Sequence, residues 1–207
     1  MTDIWEMMAA ERTEFADFLD LLTPAQWDSP SLCTEWRVRD AAAHVIGGIE
    51  LPGIPQFLVS IAKNGFSFNK ANAVAARELG SHPTDELLKL LRDRVGVRKT
   101  PPGLKPPNLL GDAVVHQQDC RRPLGMPRQI PEERLRTVLD AMKGVNPIVG
   151  NKKRIADVKL VATDMDWTHG DGPEARGTGE ALLMAMNGRR AAIDDLEGDG
   201  VATLRSR

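Results

Sequence analysis

The sequence predicts a mainly α-helical protein, with a helical bundle over residues 1–145 and a small α+β domain over residues 146–207. Three observations carry this reading. Apolar residues recur three and four apart from the first turn onward. Proline, glycine and capping residues then cut the chain into helix-length pieces as far as Met142. After Gly150 the texture changes to short apolar runs separated by turn residues.

The first helix spans Ile4 to Leu22. Its apolar stripe is Ile4, Met7, Met8, Phe15, Phe18, Leu19 and Leu22, and Thr23-Pro24 stops it. Trp27 to Thr34 holds Asp28, Ser29, Pro30 and Ser31 and reads as a loop. A second helix runs from Arg37 through Ile49, and Pro52 and Pro55 break the chain beyond it. Shorter helices are expected at 57–62 and 69–79. Thr84-Asp85-Glu86 offers a hydroxyl cap with acids in the first turn, which predicts a helix from Asp85 to Val95. Residues 100–107 contain four prolines and read as a loop. The next helix covers Leu109 to Arg122 and ends at Pro123 and Gly125. Pro131-Glu132-Glu133 opens another, through Met142. Asp157 to Asp164 suits a strand, with 166–169 as its hairpin partner. Gly170 to Gly179 is turn-rich, Glu180 to Met186 is a short helix closed by Asn187-Gly188, and Gly200 to Leu204 suits a last strand.

The charged fraction is 27% and the formal net charge −2. Such a balance gives no general attraction to nucleic acid or to an anionic membrane. No stretch approaches the roughly 20 apolar residues of a membrane helix. The first fourteen residues mix Asp3, Glu6, Glu11, Arg12 and Glu14 among apolar ones, unlike a signal peptide. The two cysteines, Cys33 and Cys120, form neither a zinc motif nor a disulfide framework, so a reducing cytoplasmic setting is expected.

Two pieces of the chain carry chemistry. His44 is the one polar side chain between Ala41 and Ile49, and burying an imidazole there demands a partner. A metal ion satisfies it; so does a backbone carbonyl. Asp112 and His116 lie four apart, one helical turn, with Asp119 on the same face. Acid and imidazole at that spacing can share a cation, or can form a solvated polar stripe. Two nitrogens and one carboxylate suit zinc, nickel or iron better than magnesium or calcium, and three protein ligands leave positions open for catalysis. Helix bundles build metal sites between facing helices in this way.

Trp27 to Val45 (WDSPSLCTEWRVRDAAAHV) resembles the N-terminal signature of mycothiol-dependent maleylpyruvate isomerases, members of the wider DinB-like (damage-inducible) superfamily. Val115 to Gly125 (VHQQDCRRPLG) is similar to the family's second signature. Gly172 to Gly177 (GPEARG), Glu180 to Leu183 (EALL) and Gly188-Arg189 resemble its small C-terminal domain. The resemblance implies an up-down four-helix bundle whose divalent metal, zinc foremost, is held by His44, Asp112 and His116. The family's acid is often Glu, and Asp112 reaches one methylene less. It further implies a mycothiol-like thiol as cosubstrate, a small-molecule electrophile as substrate, and isomerase or thiol-transferase chemistry. Homodimers are common in such bundles. A non-catalytic DinB-like metal- or ligand-binding protein is the alternative.

Around that core, Asp119 either orients His116 or acts as a general base, unless it is a plain surface acid. By the resemblance Arg189 is the counterpart of a family arginine that binds substrate or thiol, with Arg176 a second candidate; the alternative is a solvated arginine past a helix end. Cys120 is read as a packing residue or a reactive thiol, and Trp27 and Trp36 as apolar anchors.

Overall fold

The structure, a computed structural model, describes residues 2–49, 59, 61–100, 103–144 and 151–207. These fall into two compact units, residues 2–127 and 128–207.

In the first unit the helices are α1 (Ile4–Asp20), α2 (Pro24–Trp27), α3 (Val38–Ile49), α4 (Phe68–Gly80), α5 (Thr84–Asp93) and α6 (Pro106–Arg121). Most agree with the sequence pattern. Asp3 caps α1 by accepting from the Trp5 amide, and Ser67 caps α4 by accepting from Lys70. The short α2 departs from the expected loop. Thr23 and Gln26 close a reciprocal capping box, with Pro24 in the first turn where its missing N–H costs nothing. The same physics moves the start of α6 back to Pro106 from the expected Leu109. At α5 the cap is Pro83, so Thr84 is the first helical residue and not the hydroxyl cap the sequence suggested. The expected helix at 57–62 lies largely outside the described residues.

Helix α3 is the hub and packs on α4, α5 and α6, while α1 packs on α5 and α6. The core joins Phe15, Phe18 and Leu19 to Val38, Ala41, Ala42, Ile46, Leu87 and Leu91. The alanines matter because α3 must come close to three neighbours at once. Arg12, fully buried on α1, donates from Nη1 to the carbonyls of Arg94, Val95 and Val97 just past α5. It closes that helix end, and burial pushes its pKa down to about 10. No helix among the described residues is long and apolar enough to cross a membrane.

In the second unit come α7 (Glu132–Met142), α8 (Asn151–Arg154), β1 (Lys159–Ala162), β2 (Thr168–His169), β3 (Glu174–Gly177), α9 (Gly179–Met186), a 3₁₀ turn (Arg190–Asp195) and α10 (Gly200–Arg205). The expected boundary lay near 145. The second unit begins at Arg128, because α7 packs on α9. The sheet order is β2-β1-β3. β1 and β2 form the expected hairpin, with Leu160 opposite His169. β3 pairs parallel to β1 with Leu160 beside Ala175. Its sequence reads as turn because only Ala175 and Gly177 point inward, too short a run to show a period. The expected strand at 200–204 is instead helix α10. Gly200 and Leu204 are its buried pair while Ala202 is exposed, a period of four where a strand would bury 200, 202 and 204 together.

The α3–α4 approach can be tested at Gly80. A Cβ there would lie 2.5 Å from Asp40 Oδ1 and 3.2 Å from Asp40 Cα. Gly80→Ala should therefore destabilise the protein by about 1–3 kcal/mol in a denaturant titration. An unchanged midpoint would mean that the two helices do not meet this closely.

Candidate metal centre

The site belongs wholly to the first unit. Helix α3 supplies His44, α4 supplies Asn72, and α6 supplies Asp112, His116 and Asp119 on successive turns of one face. A loop between α2 and α3 brings Cys33 and Trp36. That loop is pinned at its neck by Val38 N to Ser29 O (2.9 Å) and Ser31 N to Trp36 O (2.9 Å), and onto α6 by Leu32 N to Asp119 O (3.0 Å). Glu35 within it takes a left-handed φ of 68°, uncommon for a side chain of that kind, and its carboxylate pairs with Arg77 of α4 at 2.7 Å.

His44, Asp112 and His116 converge as expected. His44 Nε2 lies 3.3 Å from Asp112 Oδ2, and His116 Nε2 lies 3.5 Å from Asp112 Oδ1. The two imidazoles meet edge to face, with centroids 4.6 Å apart. One donor atom from each residue falls within 4.8 Å of the others, the compactness a shared cation needs. The short aspartate is no obstacle, because its carboxylate reaches both rings from the α3–α6 approach that the buried Ala41, Ala42 and Ala43 permit.

Each ring is also held from its other nitrogen. His44 Nδ1 lies 3.1 Å from Asn72 Oδ1, and His116 Nδ1 lies 2.9 Å from Asp119 Oδ2. Both Nδ1 atoms are placed to donate to these oxygens, which turns both Nε2 atoms toward Asp112 as prospective ligands. Asp119 has no exposed surface, so it is not the surface acid that its position allowed. Trp36 packs beside both rings, at 5.2 Å from His44 and 5.8 Å from His116.

The electrostatics are those of a site prepared for positive charge. Burial alone would raise the Asp112 carboxyl, but the charges of His116 and His44, with their hydrogen bonds, hold it well below the usual carboxylate range. Burial likewise disfavours charged His116. Asp112's charge, and hydrogen bonds with Asp112, Asp119 and Cys33, overcome that and keep its proton well above the usual histidine range.

Asn72 and Cys33 join the site without a sequence signal. Asn72 sits 28 residues from its histidine, and no local spacing links them. Cys33 lies inside a recognised signature, but as a solitary thiol it carries no pattern. Cys120 is buried, donates to Val38 O at 3.7 Å, and has its thiol pKa pushed well up by burial, as a packing residue would. Arg189 belongs to the second unit, where its Nη1 donates to Asn187 O at 2.7 Å beyond α9. Arg176 lies on β3 and pairs with Glu174 at 3.1 Å.

The raised His116 pKa has a measurable sign. At neutral pH the metal-free protein carries a proton that a cation on Nε2 must displace, so affinity should fall as pH falls. Zinc titration calorimetry at pH 7, run in two buffers of different ionisation enthalpy, should show release of about one proton per ion. A buffer-independent heat would contradict this protonation state.

Residues 8–100 match the family model described as the mycothiol maleylpyruvate isomerase N-terminal domain. No curated protein matches the sequence. Among solved structures, the crystal structure of the mycothiol-dependent maleylpyruvate isomerase aligns with a TM-score of 0.65 at 16% identity, over 95% of this chain and 92% of that one. A histidine-to-alanine mutant of the mycothiol-dependent maleylpyruvate isomerase aligns with a TM-score of 0.62, at the same identity and coverage. The chain therefore shares the fold of that isomerase over 95% of its length, and its residues 8–100 are similar to the mycothiol maleylpyruvate isomerase N-terminal domain.

Proposed function

We propose that the protein is a divalent-metal-dependent enzyme that uses a mycothiol-like low-molecular-weight thiol, as an isomerase or a thiol transferase acting on a small electrophile. The observation that carries this reading is the convergence of His44 Nε2, the Asp112 carboxylate and His116 Nε2. Two nitrogens and one carboxylate fit zinc first, and nickel or iron next. Three ligands are too few for a closed structural zinc site, and they leave room for an exogenous ligand. A cation bound there would lower the pKa of a coordinated thiol and so supply a thiolate at neutral pH.

The chain's own residues do the rest. Asn72 and Asp119 hold the two imidazoles in the tautomer that presents Nε2. Asp112 neutralises part of the positive charge and stays ionised. Trp36 covers the rings on one side and limits water. Asp119 acts through His116, as a positioning residue. Arg189 enters as the group for a carboxylate of substrate or thiol, on the resemblance of Gly188-Arg189 to the family's arginine. Neither Cys33 nor Cys120 is in a disulfide, which agrees with a reducing cytoplasm.

The test is metal content together with thiol-dependent turnover. Purified protein reconstituted with zinc should hold about one tightly bound ion at the three-ligand site, and Asn72→Ala should weaken that ion roughly 10-fold through loss of the His44 acceptor. The His44→Ala variant should lose both the ion and any turnover of maleylpyruvate with mycothiol. Less than about 0.2 equivalents of any transition metal after reconstitution would sink the enzyme reading and leave a ligand-binding bundle.

A further inference from the structure

His116 offers two nitrogens, and the cluster with His44 and Asp112 uses only Nε2. On the Nδ1 side stand two further donors. Cys33 Sγ lies 3.5 Å from Nδ1 and 3.0 Å from Asp119 Oδ2, and Nδ1 to Oδ2 is 2.9 Å. All three donor atoms fall within 4.8 Å of one another. A tetrahedral zinc-class ion, with bonds of about 2.3 Å to sulfur and about 2.0–2.1 Å to nitrogen and oxygen, spaces its ligand atoms roughly 3.3–3.6 Å apart. The Sγ–Nδ1 side already has that length, and the two sides that meet at Asp119 Oδ2 need to open by about 0.5 Å, within reach of a side-chain rotation.

We propose that Cys33, His116 and Asp119 form a second cation site, specific for thiophilic divalent ions, on the Nδ1 side of His116. Charge favours it. Cys33 Sγ and His116 Nδ1 both lie within hydrogen-bond distance of one Asp119 oxygen, so a single divalent ion can replace the hydrogens that join the three. Binding removes the proton from Sγ, and the ion takes the Nδ1 lone pair. The imidazole then keeps its proton on Nε2, or gives it up when Nε2 is itself occupied. The displaced protons go to solvent. Thiolate and carboxylate together balance the ion's two charges beside the buried His116 and Asp119. The thiolate also sets the selectivity, since soft sulfur excludes magnesium and calcium. Access is through the loop: Cys33 is half-buried, and the segment from Pro30 to Arg37 borders a cleft of about 450 Å³.

The two sites share His116 as a ligand and Asp119 as its neighbour, but Cys33 belongs only to this site and His44 and Asp112 only to the other, so the two are separable by mutation. Cobalt(II) is the probe, because a thiolate ligand gives it an intense near-ultraviolet charge-transfer band. The wild type should develop that band on titration. Cys33→Ser and Cys33→Ala should lose it while keeping the visible ligand-field spectrum of the His44 site. His44→Ala and Asp112→Asn should keep the band and lose only the His44 site's share of the visible absorption, and Asp119→Ala should weaken the band's apparent affinity by about 10-fold or more. Far-ultraviolet circular dichroism selects the folded variants, and Cys120→Ala serves as the control for the other thiol. Absence of the band at saturating cobalt overturns the proposal, as does its survival in both Cys33 variants. Its loss in folded His44→Ala and Asp112→Asn would also overturn it, by placing the sulfur in one joint site. Loss of the ligand-field spectrum alone touches only the three-ligand reading.

Discussion

His116 is an imidazole held between two carboxylates, and much of the first unit is arranged to keep it there. Asp112, one turn earlier on α6, faces its Nε2, and Asp119, one turn later, faces its Nδ1. Helix geometry alone provides this, since residues four before and three after share a face. What must be built is the wall opposite. His44 meets Asp112 from α3, so α3 and α6 have to lie close along their length. The alanine run at 41–43 allows that approach, and the apolar cluster around Phe15, Leu19 and Ile46 drives it.

The loop between α2 and α3 obeys the same constraint. It is short, it is anchored to the backbone of α6 at Asp119, and it delivers Cys33 and Trp36 against the rings. Holding it there requires a left-handed backbone at Glu35, and non-glycine residues of this kind tend to occur where function overrides local preference. The loop is thus part of the site's wall, and the thiol it carries gives the second face of His116 its chemistry.

The longer helices were legible because their apolar residues repeat every three to four positions and their ends carry proline, glycine or capping residues; the four-residue α2 and α8 are too short to show a period. The convergence of His44, Asp112 and His116 was legible only in halves. One half was an imidazole in an alanine run, the other an acid and a histidine one turn apart; each alone has a bland structural explanation. The resemblance to a known family supplied the long-range pairing that local spacing cannot. Asn72 and Cys33 stayed hidden for the same reason, since their partners are 28 and 83 residues away. The strand expected at 200–204 failed differently. Val, Thr and Leu favour strands, but Gly200 and Leu204 are buried one helical turn apart, and packing overruled propensity.

The second unit shows how little sequence a small sheet needs. Three strands of two to four residues are held by one fully buried strip, Leu160 and Ala175, under α9. The three-ligand centre lies in the first unit, and anomalous scattering from zinc-soaked crystals is the test that locates its ion. The account predicts a zinc-edge peak within bonding distance of His44 Nε2, an Asp112 carboxylate oxygen and His116 Nε2. A fully occupied zinc elsewhere on the protein, with those three side chains unchanged and no peak between them, would contradict it.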